Sequence, residues 1–218
     1  MLLGYIQLVV EIACCLIAIL LYKDLQRRHW VWWIPFLVYT CVVELWGTWL
    51  EERKELNLWL YNPYIIISTA FYLWFLLYIS ILREKSRRLL YRVLFTLAII
   101  NLGWYLVWGN PRELISYHLN AGALLICICC LLFYYTQVKS PAGHRSLTAV
   151  PAFWIVSGLL FFYTGISIYT SMYNFLAMAD IRVFGVTIQN LIPQVLSLLL
   201  YSSIITSFIQ CRYPLKSL

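Results

Sequence analysis

The chain has 218 residues, of which 63% are hydrophobic, 17% aromatic and only 11% charged, with a formal net charge of +7. A soluble domain carries about 25% charged residues because its surface faces water, so most of this surface faces something else. A water-soluble enzyme or binding module is excluded on that ground.

Seven apolar runs follow one another, over 2–22, 31–50, 58–82, 89–108, 116–138, 151–171 and 186–210. Crossing a hydrocarbon core of about 30 Å takes roughly 20 helical residues at 1.5 Å each. The expected fold is therefore all-α: a polytopic membrane bundle of seven transmembrane helices, one transmembrane domain over 1–218. The runs are uniformly apolar, whereas barrel strands alternate and need only about ten residues. The first run lacks a basic leader and is followed by Lys23 and Asp24, so it reads as a helix and not as a cleaved signal. Pro35, Asn62-Pro63 and Pro151 fall near helix starts, where a missing N–H costs little. Pro193 falls about two turns into the last run and should free a carbonyl near Gln189. Trp30, Trp32 and Trp33 mark one end of the second helix, and Trp46, Trp49, Trp59, Trp104 and Trp108 mark the opposite interface, as aromatic belts do.

The connections are short, the longest (139–150 and 172–185) running to about a dozen residues. They leave no room for a kinase, nuclease or nucleotide-binding module, and no Gly-rich phosphate loop occurs. Charge sets the orientation. Lys23, Arg27, Arg28, Arg83, Lys85, Arg87, Arg88, Arg92, Lys139, Arg145, Arg212 and Lys216 lie after helices one, three, five and seven. The opposite loops hold Arg53, Lys54, Arg112 and Arg182, offset by Glu51, Glu52, Glu55, Glu113 and Asp180. The positive-inside rule then puts the N-terminus outside and the C-terminus in the cytoplasm, in a bacterial inner (plasma) membrane. The net charge records topology and contact with the lipid bilayer, not a nucleic-acid partner.

Polar residues inside the runs are the candidate functional groups. Glu11 lies ~13 Å and Glu44 ~9 Å below the outer surface by helical rise, and no other carboxylate lies inside the membrane. Gln7 stands one turn above Glu11. Asn62, Asn101, His118, Asn120, Tyr163, Thr164, Ser167, Thr187, Gln189, Asn190 and Gln194 also map to the outer half, while the inner halves are almost purely apolar. An ionisable group in the bilayer is costly and must face the interior and find a partner. The inference is an outward-facing polar pocket above an apolar plug, with Glu11, Glu44, Gln7, Asn62, Asn101, Tyr163, Asn190 and Gln194 as ligand-binding residues. The bland alternative for each is interhelical hydrogen bonding.

Other chemistries fail on placement. Every lysine is in a loop or the tail, which excludes a retinal Schiff base. His29 and His144 are cytoplasmic and His118 is outer, so they cannot converge on zinc or haem. Cys14, Cys15, Cys41, Cys127, Cys129 and Cys130 lie inside helices and Cys211 at the end of one; they read as packing residues. Cys-x-Cys-Cys on a helix points its thiols apart, and juxtamembrane Cys211 carries a weak palmitoylation signal. No hydrolase triad occurs, and an acid pair without a nucleophile is thin support for catalysis. No cofactor, metal or catalytic residue is expected. A transporter built on two three-helix repeats is the alternative; Pro35 and Pro151 hint at such a repeat, but aligning them sets Glu44 opposite Leu160, and no exit path crosses the apolar half.

The stretches Trp33-Ile-Pro-Phe-Leu-Val-Tyr39, Val-Val-Glu44-Leu-Trp-Gly47 and Asn57-Leu-Trp-Leu-Tyr61-Asn62-Pro-Tyr64 resemble a group of uncharacterised seven-helix integral membrane proteins of Bacteroidota. So do Ser116-Tyr117 and Phe153-Trp154-Ile-Val-Ser-Gly158-Leu-Leu-Phe-Phe-Tyr163-Thr-Gly165. The resemblance spans nearly the whole chain through short, mostly hydrophobic motifs; some relatives have an acid where this chain has Ser68. The group in turn resembles the membrane sensor portions of bacterial histidine kinases. The resemblance implies a ligand sensor or accessory signalling subunit that binds an unknown small ligand from the outer side and acts through a cytoplasmic partner such as a histidine kinase. The basic stretch 83–92 is then a docking surface as well as a topology determinant.

Overall fold

The structure is a computed structural model that describes residues 2–79, 89–90, 92–93, 96–97, 99–100, 103, 116–139, 147–179, 182–183 and 186–212. Its elements are α1 (Leu2–Leu20), α2 (Tyr22–Arg27), α3 (Trp33–Glu52), α4 (Leu58–Ile79), α5 (Ser116–Lys139), a 3-10 turn (Leu147–Ala149), α6 (Pro151–Ala179), β1 (Arg182–Val183), β2 (Val186–Thr187) and α7 (Ile188–Cys211). The expected helix over 89–108 lies mostly outside the described residues. Helical stretches of 20 to 24 residues over Trp33–Glu52, Leu58–Ile79, Leu119–Val138, Pro151–Tyr173 and Ile188–Cys211 are long and apolar enough to cross a membrane, and Tyr5–Leu20 is a shorter apolar helix. The chain is a helical membrane protein.

Two helices depart from the expected runs: the short α2 over Tyr22–Arg27 falls in a stretch expected to be loop, and α6 extends through Ala179. The expected end was set where hydropathy falls. The stretch Met172–Ala179 contains Met, Leu and Ala and no Pro or Gly, so helix propensity carries the helix further. Between α6 and α7, a stretch expected to be loop pairs Arg182 with Thr187 and Val183 with Val186 in a minimal antiparallel ladder.

The chain forms two compact units, Met1–Cys41 with Arg145–Leu218, and Val42–His144. In the first, α7 packs against α6 and α1. The buried side of α1 is Glu11, Cys14, Cys15 and Ala18, a stripe at helical spacing made almost wholly of small residues. On its other side Val9, Leu16 and Leu20 are exposed, as lipid contact requires. α6 buries Ala152, Ile155, Val156, Leu159, Tyr163 and Ile166. Gly158 and Gly165, two turns apart, let α7 approach: a Cβ on Gly158 would stand 2.7 Å from Ser203 Cβ, and one on Gly165 2.6 Å from Leu196 Cδ2. This is the small-residue packing of membrane helices. One tie crosses that pair directly, where the buried Ser207 hydroxyl donates to the Pro151 carbonyl at 2.7 Å. Trp33 is fully buried, edge-on to Phe208 of α7 at 5.7 Å.

In the second unit α4 packs against α5. A Cβ on Gly122 of α5 would meet Thr69 Cγ2 at 2.8 Å, so the two helices run close there. Ala123, Ile126, Cys130 and Phe133 form the buried stripe of α5, and Leu124, Ile128, Leu131, Tyr135 and Val138 its exposed one.

Two turns explain how the chain stops its helices without glycine. After α2, the His29 N–H donates to the Gln26 carbonyl at 3.0 Å and the Trp30 N–H to the Leu25 carbonyl at 2.9 Å. After α3, the Lys54 N–H donates to Glu51 at 2.9 Å and the Glu55 N–H to Leu50 at 3.0 Å. Both are Schellman caps. Their left-handed residue is His29 (φ 57°) in the first and Lys54 (φ 58°) in the second, where glycine is the usual occupant. Leu25 and Trp30 are both buried, supplying the apolar pairing that accompanies this cap.

Candidate functional site

The expected pocket residues divide between the two units. Gln7, Glu11, Tyr163, Asn190 and Gln194 belong to the first; Glu44 and Asn62 belong to the second, with Asn101 in its range but outside the described residues.

In the first unit Glu11 heads the small-residue stripe of α1 and is 1% exposed. Gln7, one turn earlier, donates from Nε2 to Glu11 Oε1 at 2.9 Å. The pair follows from the i, i+4 geometry read in the sequence. Tyr163 is buried in the α6 stripe. Gln194 lies seven residues before Tyr201 and fourteen before Phe208, so it shares their face of α7. Its Oε1 is buried and accepts no hydrogen bond among the described residues, a costly state for an amide oxygen. Asn190, a turn earlier, is exposed.

In the second unit Glu44 is half-buried on α3. Tyr61 of α4, three residues into its helix, donates its hydroxyl to Glu44 Oε2 at 3.1 Å. Gly47 makes the bond possible, because a Cβ there would collide with the Tyr61 hydroxyl and stand 2.8 Å from Cζ. Trp46 and Trp59 meet edge-on at 5.6 Å across the same two helices, and Arg53 lies over the Trp49 ring at 3.8 Å. Asn62 is fully buried. Pro63 stands at the sixth residue of α4, as Pro193 does in α7. It is therefore deeper than a helix start tolerates freely, and the Trp59 carbonyl loses its i+4 donor.

Tyr61 and Gly47 were not among the expected site residues. Their signal in the sequence is a glycine one turn beyond an intramembrane acid, facing a tyrosine across a short turn. Hydroxyl residues mostly satisfy themselves locally: Thr40 donates to the Phe36 carbonyl, Thr48 to Glu44, Ser157 to Phe153 and Thr206 to Ser202. Such back-bonding uses the donor hydrogen of each of these hydroxyls.

Chemically, both carboxyls are held by neutral donors. The five membrane-length helices and Tyr5–Leu20 contain no Lys or Arg, so neither acid meets a basic side chain of these segments. Among the described residues, no group of three or more His, Cys, Asp or Glu stands together as a metal site. Comparison of the chain with protein-family models, curated proteins and solved structures gives no match.

Proposed function

We propose that the protein is a membrane-embedded sensor or accessory signalling subunit, which binds a small ligand from the outer side and acts through a partner chain. The observation that carries the reading is that both intramembrane carboxyls are engaged by a polar side chain, Gln7 on Glu11 and Tyr61 on Glu44, in segments otherwise apolar. Groups so expensive in a bilayer are retained at functional sites. The reading includes seven spans, N-terminus outside and C-terminus inside, in a bacterial inner membrane. It includes kinship with the seven-helix proteins of Bacteroidota that the motifs around Glu44, Tyr61 and Gly158 resemble. The partner is then a cytoplasmic histidine kinase docking on the basic stretch 83–92.

Affinity purification of the tagged chain from its native membrane tests this. The expected result is a co-purifying histidine kinase whose autophosphorylation changes in membranes when Glu11 or Glu44 is replaced by Gln. Solute flux into proteoliposomes that disappears with Glu44→Gln, with no kinase recovered, overturns the signalling reading in favour of transport.

A further inference from the structure

Exposure and charge on α1 and α2 join in one pattern. Leu21 alone separates the two helices; its N–H donates to the Ile17 carbonyl at 2.9 Å and its carbonyl accepts from the Leu25 N–H at 3.0 Å. The buried stripe continues across it, with Glu11, Cys14, Ala18 and Leu25 all at most 1% exposed. The outward stripe continues too. Leu16 and Leu20 are 55% and 82% exposed, and Lys23 and Arg27 follow at the same helical spacing. Lys23 is exposed, and 80% of the Arg27 side chain is uncovered. An apolar strip of surface thus runs directly into two cations.

More positive charge gathers beside them. α2 packs against the end of α7, where the Cys211 thiol lies within electrostatic reach of Arg28 and Asp24. Arg212 follows directly and is exposed. Lys23, Arg28 and Arg212 make no ion pair among the described residues; Arg27 makes one, to Asp24 at 3.6 Å. An exposed pair of that kind contributes little. Tyr22 and Trp32, 44% and 64% exposed, are the ring types that settle at headgroup depth. We propose that Leu16, Leu20, Lys23 and Arg27, with Arg28 and Arg212 beside them, form a binding site for an anionic phospholipid. The cations hold its phosphate, and an acyl chain lies along the two leucines.

The pairing of chemistries selects this ligand. An acidic protein segment would match the cations and leave the leucines uncovered. A zwitterionic lipid would cover the leucines but bring an ammonium that the cations repel. Guanidinium groups fit phosphate oxygens as a fork, and lysine adds a point charge. The site stands apart from the signalling reading and holds whether or not a kinase binds.

Native mass spectrometry of the full chain, delipidated in detergent, tests the site by titration with dioleoylphosphatidylglycerol or dioleoylphosphatidylcholine. The expected result is tighter binding of phosphatidylglycerol. Replacing Lys23 and Arg27 together by Gln should weaken it about fivefold for each cation, so about 25-fold in all, and leave phosphatidylcholine unchanged. Asp24→Asn, which removes the competing carboxylate, should tighten it, and decides the matter if the double variant does not fold. Arg53→Gln with Lys54→Gln, between α3 and α4, should change nothing. The proposal is overturned if the two lipids bind equally, or if the Arg53 and Lys54 pair matters as much as Lys23 and Arg27. It is also overturned if inorganic phosphate at equal concentration displaces the lipid, since the cations would then take phosphate without regard to the acyl chain.

Discussion

Gly47→Ala is the sharpest test of how the second unit holds its carboxyl. Ala is normally the better helix residue, by about 1 kcal/mol. Here its methyl group would occupy the space of the Tyr61 hydroxyl and stand 2.8 Å from Cζ. The ring must swing away, and the hydrogen bond to Glu44 Oε2 at 3.1 Å goes with it. Interhelical hydrogen bonds in membranes contribute on average about 0.6 and at most about 1.7 kcal/mol. Overpacking costs a further ~1–3 kcal/mol. Setting propensity against these leaves a net destabilisation of about 0.6–3.7 kcal/mol. Reversible unfolding in mixed detergent micelles measures it. Tyr61→Phe alone should lose about 0.6–1.7 kcal/mol, the bond without the clash. The double variant should be less destabilised than the sum, because removing the hydroxyl also removes the atom that the new methyl strikes. If Gly47→Ala stabilises by the propensity term alone, the close approach argued here is wrong.

Other perturbations separate the remaining parts. Gly158→Val places bulk where a single Cβ already stands 2.7 Å from Ser203 and should destabilise the α6–α7 pair by at least ~2 kcal/mol. Gly103→Ala, with nothing among the described residues within 4 Å, should be neutral or stabilising by up to about 1 kcal/mol, and the same micelle assay compares them. His29→Gly should stabilise by up to ~1 kcal/mol, since it relieves the left-handed φ of 57° at a smaller entropic cost; a loss of stability there would show that the imidazole itself makes an essential contact. For orientation, alkaline phosphatase fused after Arg112 should be active and the same enzyme fused after His144 inactive, as the positive-inside rule requires; the opposite pattern inverts the proposed topology.

What was legible in the sequence was whatever one-dimensional periodicity encodes. The runs of apolar residues marked the helices, and four-residue spacing on one helix anticipated the Gln7–Glu11 bond. Pairings between helices were not legible, because they depend on axial offset. Tyr61 meets Glu44 although one is three residues into its helix and the other eight from the end of the preceding one, and no periodicity states that offset. Pro63 was read as a helix-start proline although the apolar run and α4 both begin at Leu58, which makes it the sixth residue and puts it more than a full turn inside the helix. The ladder of Arg182–Val183 with Val186–Thr187 escaped because four residues are too few to show alternation.

The length of α6 has a consequence for the surrounding lipid. Its 29 residues span ~43 Å, about 13 Å more than the hydrocarbon thickness. Even the apolar portion ending at Tyr173 is ~34 Å long. Such a rod stands upright only if its last turns, with Phe175 and Met178 uncovered, project past the acyl chains; otherwise it leans or the bilayer swells around it. Each ångström of hydrophobic mismatch costs a fraction of a kcal/mol, so the pose of α6, and through Gly158 and Gly165 the pose of α7, is coupled to bilayer thickness.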